Sequence, residues 1–210
     1  MRENQPKTNT PELFTDRRLH LRKFTAGDTE AVFWIYSDRE VNAFLPWFPV
    51  KNMEEAGKLL QERYLDYYEL PEGYRYAVCL KGTGNSDGEC DIPIGYVHVS
   101  LDGSHDLGYA VRKEFWGQGI ASEAAKAVLA QMKRDGMTYA TATHDEKNPA
   151  SGRVMEKIGM KYRYSYREQW QPKNIPVIFR MYQINLDGRD DRVYRAYWER
   201  YPEHFISERI

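Results

Sequence analysis

The stretch from Leu107 to Glu123, LGYAVRKEFWGQGIASE, constrains the fold of this chain more than any other segment. An apolar strand runs into a turn that carries Gly117 and Gly119, and an alanine-rich helix opens near Gln118. Glycine lets backbone N–H groups approach a ligand closely, and a helix start directs unpaired N–H groups and positive dipole charge at the same point. The stretch therefore predicts an anion site that suits a diphosphate.

The helix after this turn is predicted from its amphipathic pattern. Its apolar positions follow the i, i+3, i+4 spacing of a helix that packs on a sheet. These positions are Ala121, Ala124, Ala125, Val128, Leu129 and Met132. Glu123 near the start and Lys133 and Arg134 near the end suit the helix dipole, and Gly136 is a stop signal.

The glycine pair does not match the common nucleotide-binding loops. The dinucleotide motif needs a third glycine, where this chain has Ser122, and it belongs to a first strand-helix turn rather than one in mid-chain. A Walker A loop requires Gly-Lys-Ser/Thr, which this chain lacks. Two interpretations stay open: a diphosphate site of another kind, which we favour, and a tight turn without a ligand.

A second informative segment, NPASGRVMEKIGM, follows from Asn148. Asn148 is typical of a helix cap, Pro149 of a first helical position, and Gly159 of a left-handed helix end. Helix geometry alone explains these residues. The order of parts adds information: a glycine-turn helix, a strand over 138–143, an Asn-capped helix, and then tyrosine-rich strands.

In this order and with these residues, the chain resembles the GNAT superfamily of acyl-CoA-dependent N-acetyltransferases, and within it the branch of the ribosomal-protein N-terminal acetyltransferases. Further matching segments are TDRRLHLRKFTAGDTEAVFWIYSDREVNAFLPW and DIPIGYVHVS. The resemblance implies a mixed α/β (α+β) domain over residues 1–186, with a mostly antiparallel central sheet and helices on both faces. The sheet is expected to splay after a strand ending near Val111, which opens a V-shaped CoA cleft. Residues 187–210 are expected to form a C-terminal helical extension.

The resemblance also implies an acetyl-CoA site. Six consecutive residues would bind the diphosphate through their backbone: Trp116, Gly117, Gln118, Gly119, Ile120 and Ala121. Trp116 stands where the superfamily commonly has Gln or Arg. Tyr109, Ala110 and Val111 would present backbone groups to the pantetheine arm, and Asn148 would hydrogen-bond the same arm.

The chemistry that the resemblance implies needs few side chains. An amine attacking a thioester requires a base for the ammonium proton, a donor for the carbonyl oxygen and stabilisation of the departing thiolate. Ser151 occupies the position from which this branch supports the thiolate, and Met155 stands where many relatives carry a tyrosine. Asp106 is the candidate base, acting through water, and a solvated acid at a strand end is the open alternative.

The resemblance also implies that the acceptor pocket lies beside the aromatic loop after the first helix. Trp47 and Phe48 are candidate walls of an amine pocket, and core packing is the alternative interpretation. Alternation in YVHVS brings His98 into consideration, and His105 adjoins the candidate base. No metal-ligand spacing occurs among the histidines, so no metal is expected.

Composition is typical of a compact enzyme of one core domain. The formal net charge of -1, from 30 basic and 31 acidic residues, predicts no nucleic-acid partner. A polar start and the lack of a long apolar run predict a cytoplasmic protein without a membrane span. Cys79 and Cys90 are expected as thiols rather than as a disulfide. A homodimer is one arrangement that packing of the C-terminal tail allows.

Hydrophobic periodicity predicts the remaining elements. Strands are expected at 18–24, 74–80, 92–101, 160–169 and 176–186, and helices at 28–37, 53–68 and 190–201.

The resemblance leaves two function classes open. The first is an acetyl-CoA-dependent N-acetyltransferase that acts on a small-molecule or peptide amine, and the second is a non-catalytic acyl-CoA binder on the same fold.

Overall fold

Two antiparallel sheets frame the protein in a computed structural model that describes residues 8–83 and 91–207. The first sheet has five strands in chain order: β1 (Leu13–Phe14), β2 (Leu19–Arg22), β3 (Tyr74–Leu80), β4 (Pro93–Val99) and β5 (Leu107–Val111). The second contains β6 (Tyr139–Asp145), β7 (Lys161–Trp170), β8 (Ile175–Asn185) and β9 (His204–Phe205). Its strand order is β6-β8-β7-β9. The predicted mixed α/β fold with mostly antiparallel strands is confirmed.

Within the described residues, five α-helices connect and cover the strands. They are α1 (Thr29–Ser37), α2 (Met53–Leu60), α3 (Ile120–Arg134), α4 (Pro149–Lys157) and α5 (Ala196–Arg200). The helix predicted over 53–68 continues beyond α2 as a π-helical turn, Gln61–Leu65, and a short 3-10 turn, Asp66–Glu69. The chain therefore stays helical here while its winding changes.

Strand alternation divides the first sheet between two helical layers. On β3, Tyr76 and Val78 pack in the core shared with α3 and α4, while Ala77 and Cys79 pack against α1 and α2. Successive side chains of a strand point to opposite faces, so a fully apolar strand can serve both layers. Helices accordingly cover both faces, as predicted.

The two sheets meet where β5 and β6 run side by side in parallel. An isolated bridge joins Asp106 and Thr141 at the start of β5, and the Thr141 N–H donates to the carbonyl of His105 at 3.2 Å. No ladder continues from this bridge along the described strands, so β5 pairs only with β4. The predicted splay therefore takes the form of two separate sheets hinged at one bridge, with an open backbone edge on β5.

The C-terminal tail differs from the helix predicted over 190–201. Only Ala196–Arg200 is helical, and His204 and Phe205 then pair with β7. The preceding segment is held by the buried side chain of Gln183, which donates to the carbonyl of Arg192 at 2.9 Å and accepts from the Tyr194 N–H at 2.7 Å. These bonds satisfy backbone groups that a helix would otherwise use, because side-chain partners compete with helical hydrogen bonding.

Of the two cysteines, the structure describes one. Cys79 is buried in β3, whereas Cys90 lies outside the described residues, so the expectation of two thiols stays a prediction.

Within the described ranges no helix combines the length and apolar character needed to cross a bilayer.

Candidate active site

A cleft of about 1250 Å³ opens where β5 and β6 part. We call its two ends the donor half and the acceptor half. The donor half consists of β5, the glycine turn and α4, and its lining residues include Tyr109, Ala110, Val111, Trp116, Gly117, Gly119, Ile120, Ala121, Asn148, Ser151, Arg153 and Lys157. The acceptor half is lined by Trp47, Arg63, His98, Asp106, Tyr166, Glu168, Trp170, Tyr197 and Tyr201.

The glycine turn has the backbone that the sequence predicts. Gly117 and Gly119 have φ angles of 72° and 76°, in the left-handed region that favours glycine. Gly119 caps α3, and the first residues of that helix line the cleft. Space is open around Gly117, so conformation and not crowding calls for glycine there. The turn therefore directs a helix N-terminus at the cleft.

The two polar side chains of the turn serve its own structure. The indole N–H of Trp116 donates to the carbonyl of Val111 at 2.7 Å, which fastens the turn to the open edge of β5. Gln118 is exposed, lies outside the cleft lining, and donates from its side chain to the carbonyl of Glu114 at 3.0 Å. Of the six residues predicted to hold a diphosphate, Gln118 alone is absent from the lining.

Two cations of the donor half were not predicted as site residues. Arg153 and Lys157 stand one helical turn apart on α4 and line the cleft. The ammonium of Lys157 lies 3.8 Å from the position that a Cβ on Gly119 would take. Positive charge beside a helix N-terminus strengthens an anion site. The sequence signal was their i, i+4 spacing, which is equally typical of a solvated helix face.

Ser151 is held from two sides. The side chain of Asn148 caps α4 by accepting from the Ser151 N–H at 3.3 Å. The hydroxyl of Tyr109 donates to the Ser151 carbonyl at 2.9 Å and lies 3.0 Å from the Ser151 Oγ. Burial raises the pKa of Tyr109, so its phenol stays protonated at neutral pH. Tyr109 thus contributes a side chain where only its backbone was predicted, and Met155, one turn beyond Ser151, is buried.

Asp106 lies at the start of β5, half-buried, on the cleft wall. Its Oδ1 is inaccessible to solvent and has no hydrogen-bond partner among the described residues. Burial and the neighbouring charge of Asp102 raise the pKa of Asp106 to about 7, against a backbone hydrogen bond from Thr143 that lowers it. The carboxyl group therefore changes charge near neutral pH.

His98 lines the acceptor half, as anticipated, whereas His105 lies outside the cleft lining with its ring 5.1 Å from that of Tyr139. Burial, with the charges of Arg63 and Arg75, lowers the pKa of His98 to about 3. His98 is therefore neutral. Gly108, on the adjacent strand, makes room for it, since a side chain there would overlap the imidazole ring.

A third histidine, His144 on β6, also lines the cleft and was not singled out from the sequence. Its Nδ1 lies 2.7 Å from the carbonyl of Asp145, while its Nε2 is buried without a partner in the described chain. Burial lowers the pKa of His144. Gly152 on α4 accommodates the ring, since a Cβ there would lie 2.8 Å from the Nε2.

The aromatic walls of the acceptor half come from three parts of the chain. Trp47 lines the cleft and donates from its indole to Asn42 Oδ1 at 2.9 Å. Phe48 is 61% exposed and lies outside the lining, so it does not wall this pocket. Tyr166 on β7 stacks with Tyr197 and Tyr201 of the tail, at ring-centre distances of 5.1 and 4.7 Å.

The tail residues were missed because the sequence assigned the tail to packing alone. Tyrosines at 194, 197 and 201 are a visible signal, but nothing in the sequence indicates that β7 lies against them. A lysine from the hairpin between β7 and β8 lies outside the cleft lining and connects the two sides of this end. Lys173 donates to the carbonyls of Asn42 and Ala43, each at 2.9 Å, and so joins the second sheet to the loop that carries Trp47.

No group of three or more metal-ligating side chains with suitable geometry occurs among residues 8–83 and 91–207. The chemistry available in the described cleft thus comes from one neutral-range carboxyl group, two neutral imidazoles, a serine-tyrosine pair and backbone N–H groups. Such groups suit proton transfer and stabilisation of developing negative charge.

Known proteins share this architecture. The N-acetyltransferase YoaA of Bacillus subtilis (strain 168), itself uncharacterized, is 27% identical over 176 residues, which are 83% of this chain and 96% of YoaA. A GNAT-family acetyltransferase structure from Bacillus anthracis is 26% identical, with a TM-score of 0.70 over 84% of this chain and 99% of that one. RimL, a ribosomal L7/L12 alpha-N-protein acetyltransferase solved in complex with coenzyme A, is 19% identical with a TM-score of 0.68, again over 84% and 99%.

The family itself is matched over the segment that builds the donor half. Residues 18–161 match the acetyltransferase (GNAT) domain, which includes the glycine turn, the open edge of β5 and the whole of α4. The match begins at β2 and ends at the first residue of β7, so the tail lies beyond it. Because the match spans well over half of the sequence, the chain belongs to the GNAT family of acetyltransferases.

Proposed function

We propose that the protein transfers the acetyl group of acetyl-CoA to a primary amine, carried by a small molecule or a peptide, by direct attack within a ternary complex. One observation carries the proposal: a left-handed glycine turn opens α3 beside the unpaired edge of β5 in a single cleft. Two anion-binding elements and a free strand edge in one cleft fit an extended ligand with a diphosphate at one end.

The donor half would hold acetyl-CoA, which supplies an acyl group activated as a thioester. The N-terminal N–H groups of α3, the glycine turn and the cations Arg153 and Lys157 would bind the diphosphate. The backbone of Tyr109, Ala110 and Val111 would bind the pantetheine arm, and an N–H on this open edge would stabilise charge on the carbonyl oxygen. Asn148 would contribute a polar contact beside its capping bond.

Ser151 would support the departing sulfur. Its hydroxyl is oriented by Tyr109, and a hydroxyl in this position donates a hydrogen bond to sulfur as negative charge develops. The Tyr109 hydroxyl lies 3.0 Å from the Ser151 Oγ and, by donating to that oxygen, would support the serine hydroxyl as it donates to the thiolate. This arrangement would fill the role of the tyrosine that Met155 replaces on α4.

Asp106 would accept the proton of the acceptor ammonium, directly or through one water. A general base works best when its pKa is close to the working pH, and the raised pKa of Asp106, about 7, meets that condition. His98 and His144, held neutral by burial, stand near enough to the same cleft to act as hydrogen-bond partners of the acceptor. Trp47 would wall the amine pocket.

The test is a two-part assay on the purified protein. Acetyl-CoA is first titrated in a thermal-shift experiment, and release of free CoA is then followed with a panel of amino acids, polyamines, aminoglycosides and N-terminal peptides. We expect stabilisation by acetyl-CoA and turnover with at least one amine. Stabilisation without turnover across the panel would favour a non-catalytic acyl-CoA binder, and the absence of stabilisation would contradict the site.

A further inference from the structure

Arg63 lies in the acceptor half and has no part in the mechanism above. It is carried by the π-helical turn Gln61–Leu65 that continues α2. Its guanidinium stands 3.9 Å from the centre of the Trp47 ring, and it shares the cleft wall with Tyr96 and His98. Single π-turns inside helices are often found at functional sites, because the wider turn redirects a side chain.

The guanidinium of Arg63 has no anionic partner in the described chain. No carboxylate there lies within ion-pair distance of it, and its side chain donates no hydrogen bond there. Arg22, a buried arginine of β2, shows the usual arrangement, since its guanidinium donates two hydrogen bonds to Asp28 at 2.7 and 2.8 Å. A half-buried charge without such a partner is unfavourable in the free protein, and an incoming anion would relieve it.

The phenols and the imidazole that interact electrostatically with Arg63 carry no negative charge. Burial raises the pKa of Tyr36, Tyr64 and Tyr96, so these phenols stay neutral. His98 on β4 is neutral, and Arg75 on β3 donates to the backbone carbonyl of Arg63, which adds a second positive charge. Arg63, with Arg75 bonded to its carbonyl, therefore makes this part of the cleft wall positive.

Acidic groups also line the acceptor half. Asp106 lies at the start of β5 and Glu168 on β7, and both line the cleft. Of the basic side chains lining the cleft in the described chain, Arg153 and Lys157 belong to the donor half, which leaves Arg63 as the cation of the acceptor half. An acceptor that matches both kinds of charge carries an amine and an anion on one small framework.

We propose that Arg63 binds a carboxylate of the acceptor while the acceptor amine faces Asp106, so that the substrates are amines that carry their own carboxylate. This inference rests on the proposed function. A guanidinium offers two parallel N–H donors that match a carboxylate, and stacking on Trp47 fixes the plane of this fork. Polyamines lack the anion and would meet repulsion at Arg63. The carboxylate belongs either to a free amino acid or to an acidic side chain next to a peptide N-terminus.

The test compares acceptors that differ only in charge. Acetylation of free amino acids is measured against their carboxamides, and acetylation of peptide amides with Asp at the second position against those with Asn. We expect kcat/KM to favour the carboxylate member of one of these pairs by about tenfold or more, the size of effect expected for a charge-assisted hydrogen bond. The pair that responds identifies the source of the carboxylate.

Arg63→Met should reduce this ratio to near one, mainly through KM, while leaving the neutral member of each pair almost unchanged. Arg63→Lys should restore part of it, because charge is kept and the fork is lost. Arg112→Met is the matched control. Arg112 also stacks on an aromatic ring, 4.8 Å from that of Trp34, but lies outside the cleft lining, and its variant should keep the full ratio.

A binding experiment makes the result independent of turnover. N-acetyl amino acids and their amides are titrated into the CoA-saturated protein by calorimetry, with the N-acetyl Asp and Asn peptide amides alongside. Tighter binding of a carboxylate member, lost in Arg63→Met, supports the anchor. Equal binding within every pair, no binding of any carboxylate member, or a preference retained in Arg63→Met overturns it. Absence of turnover with every amine counts against the proposed function, and absence of a charge preference counts only against the anchor.

Discussion

The donor half and the acceptor half of the cleft are built in different ways. Two short continuous segments, 107–121 and 148–157, supply the donor half, and they contribute mainly backbone groups and a helix N-terminus. The acceptor half is assembled from side chains on the loop after α1, the π-helical turn after α2, β4, the start of β5, β7 and the tail. A ligand held by backbone groups restricts the sequence through conformation, whereas a ligand held by side chains restricts it only where the fold brings those side chains together.

The two halves should tolerate amino-acid substitution to different degrees. The donor half requires left-handed glycines and a capped helix start, so few sequences can provide it. Many combinations of side chains can line an acceptor pocket on the same frame. Substitutions in the donor half should therefore affect every acceptor equally, and those in the acceptor half should change the choice of acceptor.

The largest effect is expected at the border between the halves. Asp106→Asn removes the proposed base, and kcat should fall by roughly 10²- to 10⁴-fold, the usual contribution of general base catalysis. In the unchanged protein, kcat/KM should rise with pH through about 7, the pKa of Asp106, as the carboxyl group loses its proton. Rate profiles between pH 5 and pH 9 measure both effects. A variant with an unaltered profile would assign the base elsewhere.

The folding stability of Asp106→Asn, unlike its activity, should be maintained or increased. The folded-state pKa of Asp106, about 7, is above its ordinary value of 3.8, so the folded protein binds this proton more tightly than the unfolded chain. The stability linked to this proton is fully present at low pH and is lost as the pH rises through about 7. Asp106→Asn should escape this loss, so denaturant unfolding at pH 8 should show it to be as stable as the unchanged protein or more so.

The next largest effect is expected in the glycine turn. Gly119→Glu places a side chain and negative charge at a left-handed position, and it should abolish stabilisation by acetyl-CoA. A ligand at a hundredfold excess over Kd stabilises a protein by about 2.7 kcal/mol. Gly82→Glu is a matched control, since Gly82 also has a left-handed φ, 74°, and open space but lies outside the cleft lining. If thermal shifts with CoA survive in Gly119→Glu, the donor half does not bind the diphosphate there.

A moderate effect is expected at the serine-tyrosine pair. Ser151→Ala and Tyr109→Phe each remove one hydroxyl of the pair, and each should lower kcat by about tenfold with little change in CoA affinity. The fall in kcat of the double variant should be smaller than the product of the two single effects, because the two hydroxyls belong to one hydrogen-bonded pair. Single-turnover kinetics isolates the chemical step. Full activity of Ser151→Ala in that assay would make the serine structural.

The smallest effect is expected in the tail. Tyr201→Leu removes a ring that stacks on Tyr166, and it should raise the acceptor KM by several-fold, since such stacking contributes about 0.5–1.5 kcal/mol. CoA affinity should not change. Trp198→Leu serves as a control because Trp198 packs on Tyr164 without lining the cleft. Equal KM values for the two variants would show that the tail affects the acceptor half only through general packing.

The sequence predicted the two sheets' strands well and the tail poorly. β3 matches its predicted range, and the other long strands differ by one or two residues at their ends, because alternation and turn residues are local signals. The tail instead extends along β8, held by Gln183, a residue that looks unremarkable in the sequence. Its buried amide acts only because the fold brings the tail past it.

The residues of the site also differ in whether the sequence predicted them. Gly117, Gly119 and the Asn148 cap were predicted, since each meets a local requirement of the backbone. Arg63, Tyr197 and Tyr201 were not, and Phe48, expected as a wall, is 61% exposed and lies outside the cleft lining. An arginine on a helix and a tyrosine in a tail have many uses, and only their neighbours in space select one.

By itself the sequence determined the frame of this protein and the form of its donor half. Hydrophobic periodicity, helix caps and positive-φ glycines act over a few residues, so their energetic preferences can be predicted from residues that are adjacent in the sequence. Only the tertiary structure decided that Asp106 is buried enough to titrate near pH 7, that Tyr109 reaches Ser151, and that Arg63 lines the cleft with no anionic partner among the described residues. Desolvation, hydrogen bonding across elements and charge pairing depend on distances between residues far apart in the chain.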